Sequence, residues 1–208
     1  MKHLKTYEQH GETALSLLNK GLYELPELPN DLIYLNCDNN NLSELPELPD
    51  TLKYLYCDSN NLTELPELTK LVSLGCSYNR LIKLPELPDT LINLACHNND
   101  LDSLPELSNK IETISCHNNN LDSLPKLPEK LVSLYCSKNN LTSLPELPKG
   151  LEYLFCNNNN LNELPELPKG LKYLNCFNNN LPYDSLEEYK KWYAKIYPDR
   201  IEGEKYNL

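Results

Sequence analysis

The chain has 208 residues, of which 45 are Leu and eight are Cys, and its 19 Lys and Arg face 30 Asp and Glu for a formal charge of -11. Acidity of this size repels phosphate backbones and anionic lipid, so neither nucleic acid nor a membrane is expected as a partner. A chain this long can bury a core without disulfides, no apolar run reaches the ~20 residues of a membrane span, and the start (Met1, Lys2, His3, Leu4, Lys5) lacks the apolar stretch of a secretory signal.

From the N-terminus, residues 1–11 carry no usable pattern. Leu15, Leu17 and Leu22 then stand where a degenerate unit would place its apolar side chains, ahead of Leu25-Pro26-Glu27-Leu28-Pro29. Residues 1–31 are therefore read as an N-terminal segment with a capping unit, because a stack of units leaves an apolar face open at each end. From Leu32 the chain repeats. Its Cys fall at 37, 57, 76, 96, 116, 136, 156 and 176, a spacing of 20 broken once by 19. Units beginning at Leu32, Leu52, Leu71, Leu91, Ile111, Leu131, Leu151 and Leu171 read LxxLxCxxNxLxxLPxLPxx, the last only as far as Leu181. The shortened unit is the second, where Thr69-Lys70 replaces a Pro and two residues in a connecting loop.

This motif resembles the core of the leucine-rich repeat family, LxxLxLxxNxL, with Cys in the third apolar slot, over roughly residues 12–181. The trailing LPELP segments resemble the short 20-residue subclass of translocated bacterial effectors, and Cys-bearing repeats of this kind are similar to bacterial and giant-virus proteins. The resemblance implies a mainly β repeat solenoid, an arc with a parallel sheet on its concave side.

The residues give the same reading without the family. In each unit the fourth and sixth slots, Leu35 and Cys37 in the first, alternate with polar or aromatic neighbours, the period of a short strand with one buried face. Asn in the ninth slot (Asn40, Asn60, Asn79, Asn99, Asn119, Asn139, Asn159, Asn179) suits an amide that satisfies the backbone of the turning chain. Pro pairs three residues apart, as in Leu45-Pro46-Glu47-Leu48-Pro49, exclude a helix interior and predict an extended, polyproline-like convex side.

The Cys column admits disulfide, metal or core readings. In-register neighbours on parallel strands lie about 4.8 Å apart, beyond the ~3.8 Å Cβ separation a disulfide prefers. Zinc needs clustered ligands. Reduced core thiols in a reducing compartment are expected, with no cofactor and no metal. The Glu of LPELP recurs as Glu27, Glu47, Glu67, Glu86, Glu106, Glu146 and Glu166, with Lys126 in one unit; it reads as a solvated convex face or as a docking strip for a basic partner.

Outward slots of the strands, the third, fifth, seventh and eighth, are where the units stop agreeing, and recognition on a solenoid uses such positions. Early units offer Tyr34, Tyr54 and Tyr56; late ones offer Tyr135, Tyr153, Phe155, Tyr173 and Phe177. Between them Ser73, Gly75, Asn93, Ala95, Thr113 and Ser115 predict a small, polar floor. The aromatics either contact a ligand or only shield the strands and each other. His97 and His117 occupy the seventh slot of neighbouring units, a pH-responsive contact in the same groove rather than a metal site.

Residues 182–208 read as a C-terminal cap. Ser185-Leu186-Glu187-Glu188 is a capping-box signature; Leu186, Tyr189, Trp192, Tyr193 and Ile196 follow at helical spacing, and Pro198 ends a helix of about 185–197. Trp192 is expected to cover the last repeat.

The function expected is a non-enzymatic, monomeric module that binds a protein or peptide on its concave face in the cytoplasm, or in a host cell's cytosol if the protein is translocated or virus-encoded. One alternative is the substrate arm of an effector-type ubiquitin ligase, implied by the resemblance. Only 27 residues follow Leu181 and none is Cys, which counts against it for this chain. Another is a structural protein with no specific ligand.

Overall fold

The computed structural model describes residues 6–9 and 12–197. One ten-stranded sheet runs in strict chain order from β1 (Thr6–Gln9) and β2 (Glu12–Ser16) through β3 (Leu32–Asn36) and β4 (Tyr54–Tyr56). It continues through β5 (Ser73–Gly75), β6 (Asn93–Ala95), β7 (Thr113–Ser115), β8 (Ser133–Tyr135), β9 (Tyr153–Phe155) and β10 (Tyr173–Asn175). Strands β2 to β10 are parallel, and each full unit pairs with the next slot for slot, as in Leu55 with Leu74 and Leu74 with Leu94. The 19-residue unit keeps this register, so its deletion is absorbed in the loop. What it loses is local. Elsewhere the N–H opening each unit donates to a carbonyl three residues back, as Leu91 to Pro88 at 3.0 Å, a bond not seen at Leu71.

Leu in the first, fourth and eleventh slots and Cys in the sixth build one continuous core: Leu35, Cys37 and Leu42 are fully buried, and so are their equivalents along the stack up to the last unit, where Leu181 is half-buried. Each buried Leu contributes about 1.5–3 kcal/mol. Past each Cys the strand turns. The residue in the eighth slot takes a left-handed conformation in every unit, with φ of 54–57° from Asn39 to Asn178, and Asn19 repeats it at 57°. Asn tolerates that conformation better than other side chains, hence the Asn-rich turn.

At the N-terminal end Leu15 stands opposite Leu35 and is buried, and Leu17 is buried beside it. A register shift between Thr13 and Ala14 sets Thr13 opposite Leu32, so the start of this degenerate unit is out of step with the full units. Beyond this turn β1 pairs antiparallel with β2, a strand the patternless start did not announce. The extended convex segments hold their Glu column in solvent: Glu47, Glu67, Glu106 and Glu146 are all exposed.

At the other end the chain folds back on β10. Cys176 N–H donates to the Asp184 carbonyl at 3.0 Å, and Asn175 forms an antiparallel bridge with Ser185. Helix α1 (Leu186–Ile196) follows, capped by Ser185, whose Oγ accepts from the Glu188 N–H at 3.3 Å. The Glu188 carboxylate reaches past the cap and accepts from the Asp184 N–H at 2.9 Å. Leu186, Tyr189 and Trp192 pack on the core, with Trp192 5.1 Å from buried Tyr183. Ile196, expected on this face, is half exposed, and Pro198 lies outside the described residues.

Candidate functional site

The strand of each unit presents its third and fifth slots on the sheet face opposite the Leu and Cys core, and three clusters form there. Tyr34 packs against Tyr54 and Tyr56 with ring centroids 6.4 and 5.6 Å apart, joining β3 and β4. Toward the C-terminus Tyr135, Phe155 and Tyr173 stack in series at 4.9 and 4.8 Å. Tyr173 and Phe177 are nearly half exposed and Tyr153 stands beside them, so this patch is the more open of the two.

The expected small floor is narrower than its sequence implies. Tyr56 leans over β5, its hydroxyl 3.4 Å from Ser73 Oγ. A Cβ at Gly75 would meet the Tyr56 ring at 3.0 Å and Asp58 Oδ1 at 3.3 Å. Both Ser73 and Gly75 are therefore covered, and the open stretch starts at Asn93 and Ala95.

In the middle of the face, His97 and His117 stack at 4.3 Å with their planes 13° apart, and Tyr78 sets its edge against His97 at 5.2 Å. Hydroxyls fix the rings: Ser77 Oγ lies 2.9 Å from His97 Nδ1, and Ser115 Oγ lies 3.1 Å from His117 Nδ1 and 3.3 Å from His97 Nδ1. Burial pushes His117 down to about 4, helped by His97 and Lys138, and lowers His97 as well. The pair is neutral at pH 7. Among the described residues no group of three or more His, Cys, Asp or Glu gathers as a metal site would require.

In the early units the seventh slot holds Asp38 and Asp58 instead. Asp38 Oδ1 accepts from the Asp58 N–H at 2.7 Å, and Asp58 Oδ1 from the Ser77 N–H at 2.6 Å. Burial raises both above the ordinary carboxylate range, partly offset by these donors. They are splints between strands.

Behind the face run two ladders. Asn119 Nδ2 donates to the carbonyls of Cys96 at 3.1 Å and Cys116 at 3.0 Å, and its Oδ1 accepts from the Leu101 N–H at 3.1 Å. The same pattern recurs from Asn60 to Asn159. All eight Cys are free and buried; Cys57 Sγ donates to the Gly75 carbonyl at 3.3 Å, and burial pushes Cys37, Cys116 and Cys176 up to about 12.

Residues that the repeat reading passed over matter here. The eighth slot is Asn in most units but Ser59, Tyr78 and Lys138 in three, all with the same positive φ. Tyr78 and Lys138 rim a concavity of about 330 Å³ whose other walls include His117, Tyr135 and Phe155. The signal was present as two bulky side chains in a slot that otherwise favours Asn.

Twenty-residue turns, a parallel sheet backed by Leu and Cys, and an Asn at every bend define a leucine-rich repeat solenoid, and the chain belongs to the leucine-rich repeat family. Within that family it is similar to YopM, a leucine-rich effector protein from Yersinia pestis: 39% identity over 80% of this chain and 55% of that one, TM-score 0.73. The Shigella effector leucine-rich repeat domain is 34% identical over 70% of this chain and 69% of its own, TM-score 0.64. A functional domain of InlJ from Listeria monocytogenes, which includes a cysteine ladder, is 28% identical over 82% of this chain and 45% of its own, TM-score 0.70. The chain thus spans about half the length of the YopM and InlJ chains it matches. No protein-family model and no curated protein matches it. Among the described residues no helix is long and apolar enough to cross a membrane.

Proposed function

We propose that the chain is a non-enzymatic recognition module whose concave face binds a protein or peptide. The observation that carries this reading is the aromatic stack of half-buried Tyr135 and Phe155 with exposed Tyr173, and exposed Tyr153 and Phe177 beside it, on a face whose scaffold is otherwise invariant. Aromatic side chains supply large contact area at low entropic cost, and an unfilled patch of them marks a contact surface. The likeness to effector leucine-rich repeat proteins supports the same class of role. A thiol nucleophile needs a lowered pKa and an open approach, whereas burial drives these thiols the other way, which supports a binding rather than a catalytic module. Eight reduced, buried Cys suit the cytosol, a host's if the protein is translocated.

The test is affinity capture from a cytosolic lysate with mass spectrometry. A specific partner retained by the wild type and lost on Tyr54→Ala with Tyr153→Ala supports the groove. Unchanged retention removes the concave face from the account, and no saturable partner favours a purely structural protein.

A further inference from the structure

The concavity at the middle of the sheet face differs from the rest of the molecule in charge. The chain carries 30 acidic residues against 19 basic ones, yet no carboxylate lines this hollow. Lys138 and His117 stand together on one side, and Asn118 adds an amide. Lys138 has no carboxylate partner among the described residues. Aromatic rings close the ends, Tyr78 on one and Tyr135 with Phe155 on the other. At about 330 Å³ the space is at the lower end of small-ligand sites, room for a side chain or two.

The backbone gives a second, independent sign. Tyr78 and Lys138 hold φ of 54° and 55°, values that Asn98 and Asn118 between them adopt at less strain. Both bulky side chains are exposed, so core packing does not offset that strain. Strain kept where it gains little burial, no more than the edge that Tyr78 sets against His97, points to a contact made outside the chain.

From these observations, and resting on the concave-face reading above, we infer that this hollow receives a carboxylate-bearing side chain next to an aromatic or aliphatic one, in an acidic peptide segment of the partner. The carboxylate pairs with the Lys138 ammonium and takes a hydrogen bond from the second Asn118 amide N–H, the first being donated to Asn98 Oδ1. The apolar neighbour lies between Tyr78 and the Tyr135 and Phe155 rings. A partly desolvated charge pair flanked by aromatic rings is the arrangement that concentrates binding energy at interfaces.

Panning a random 12-residue peptide library on the full chain tests this. Wild type is expected to enrich Asp or Glu within two positions of an aromatic residue or Leu. The selected peptides, resynthesised, should bind at least tenfold more weakly to Lys138→Glu, which should itself enrich Lys or Arg. Tyr78→Asn should weaken binding while its thermal midpoint stays equal or rises, which separates loss of contact from loss of fold. Selected peptides without acidic residues, or bound equally by Lys138→Glu, overturn the inference and leave the concave face standing. If wild type selects nothing, both fall.

Discussion

The ninth-slot Asn provides the sharpest energetic test of how the stack holds together, and Asn119→Ala in its middle is the cleanest perturbation. Asn119 is buried, and its amide serves three backbone groups at 3.0–3.1 Å, with a weaker fourth contact at 3.4 Å to the His117 carbonyl, which keeps the Asn98 N–H as a donor. Two of them keep a second partner after truncation: the Cys96 carbonyl still accepts from Asn99 at 3.1 Å, and the Cys116 carbonyl from Asn139 at 3.1 Å. The Leu101 N–H, with Asn119 Oδ1 as its acceptor, is orphaned. A buried, unsatisfied N–H costs about 1–3 kcal/mol, and each lost carbonyl bond about 0.5–1.5 kcal/mol. The sum is about 2–6 kcal/mol, a large fraction of a typical domain's roughly 5–15 kcal/mol. Urea titration followed by far-UV circular dichroism reads this directly, with exposed Asn120→Ala as a control within about 0.5 kcal/mol of wild type. Asn119→Asp sharpens the test. It preserves shape and the acceptor for Leu101 but turns carboxylate oxygens toward the Cys96 and Cys116 carbonyls, so it should be at least as damaging as Ala. An Asn119→Ala cost under about 1 kcal/mol, or a well-tolerated Asp, would refute the assignment of this column to backbone satisfaction.

The thiol column predicts a steep alkaline limit. Folded Cys pKa values lie above the unfolded value, so the native state holds the proton longer and stability is lost as pH rises through about 8.5, by up to about 1.4 kcal/mol per thiol per pH unit. Urea midpoints measured from pH 7 to 10 check this, and a flat profile counts against burial. Gly75→Ala drives a methyl group into the Tyr56 ring at 3.0 Å and is expected to cost about 1–3 kcal/mol and shift the Tyr56 ring resonances. An unchanged Tyr56 spectrum speaks against the cover that it forms over β5. Ser185→Ala removes the cap of α1 and should lower stability by about 0.5–2 kcal/mol, read as earlier unfolding of Trp192 fluorescence than of the sheet signal. Coincident, unshifted transitions would show that the cap contributes nothing.

Fold was legible wherever one slot asks for one shape. Leu35, Cys37, Asn40 and Leu42 each recur at a fixed spacing, so a buried slot could be read eight times over, and the strand pairing followed. Three features were not legible, each for a physical reason. β1 carries no apolar period, because it adds backbone pairing at an edge. The covering of Ser73 and Gly75 depends on which way the Tyr56 ring leans, a tertiary choice made possible by the missing Cβ. The eighth slot showed its Asn preference openly, but only the φ values turn Tyr78 and Lys138 from ordinary surface variation into strained exceptions. Of the ten aromatic and His candidates, Tyr34 and Tyr56 pack largely on each other and on the sheet, while the later patch stays open.

Site-directed photocrosslinking addresses the central claim most directly. A benzoylphenylalanine placed at position 153 on the concave face, or at position 106 on the convex Glu column, would be irradiated in cytosolic lysate and its adducts identified by mass spectrometry. The account predicts one saturable protein adduct from position 153, competed by unlabelled wild-type chain, and none from position 106. A competed adduct from position 106 alone would place recognition on the acidic convex face and contradict the concave groove.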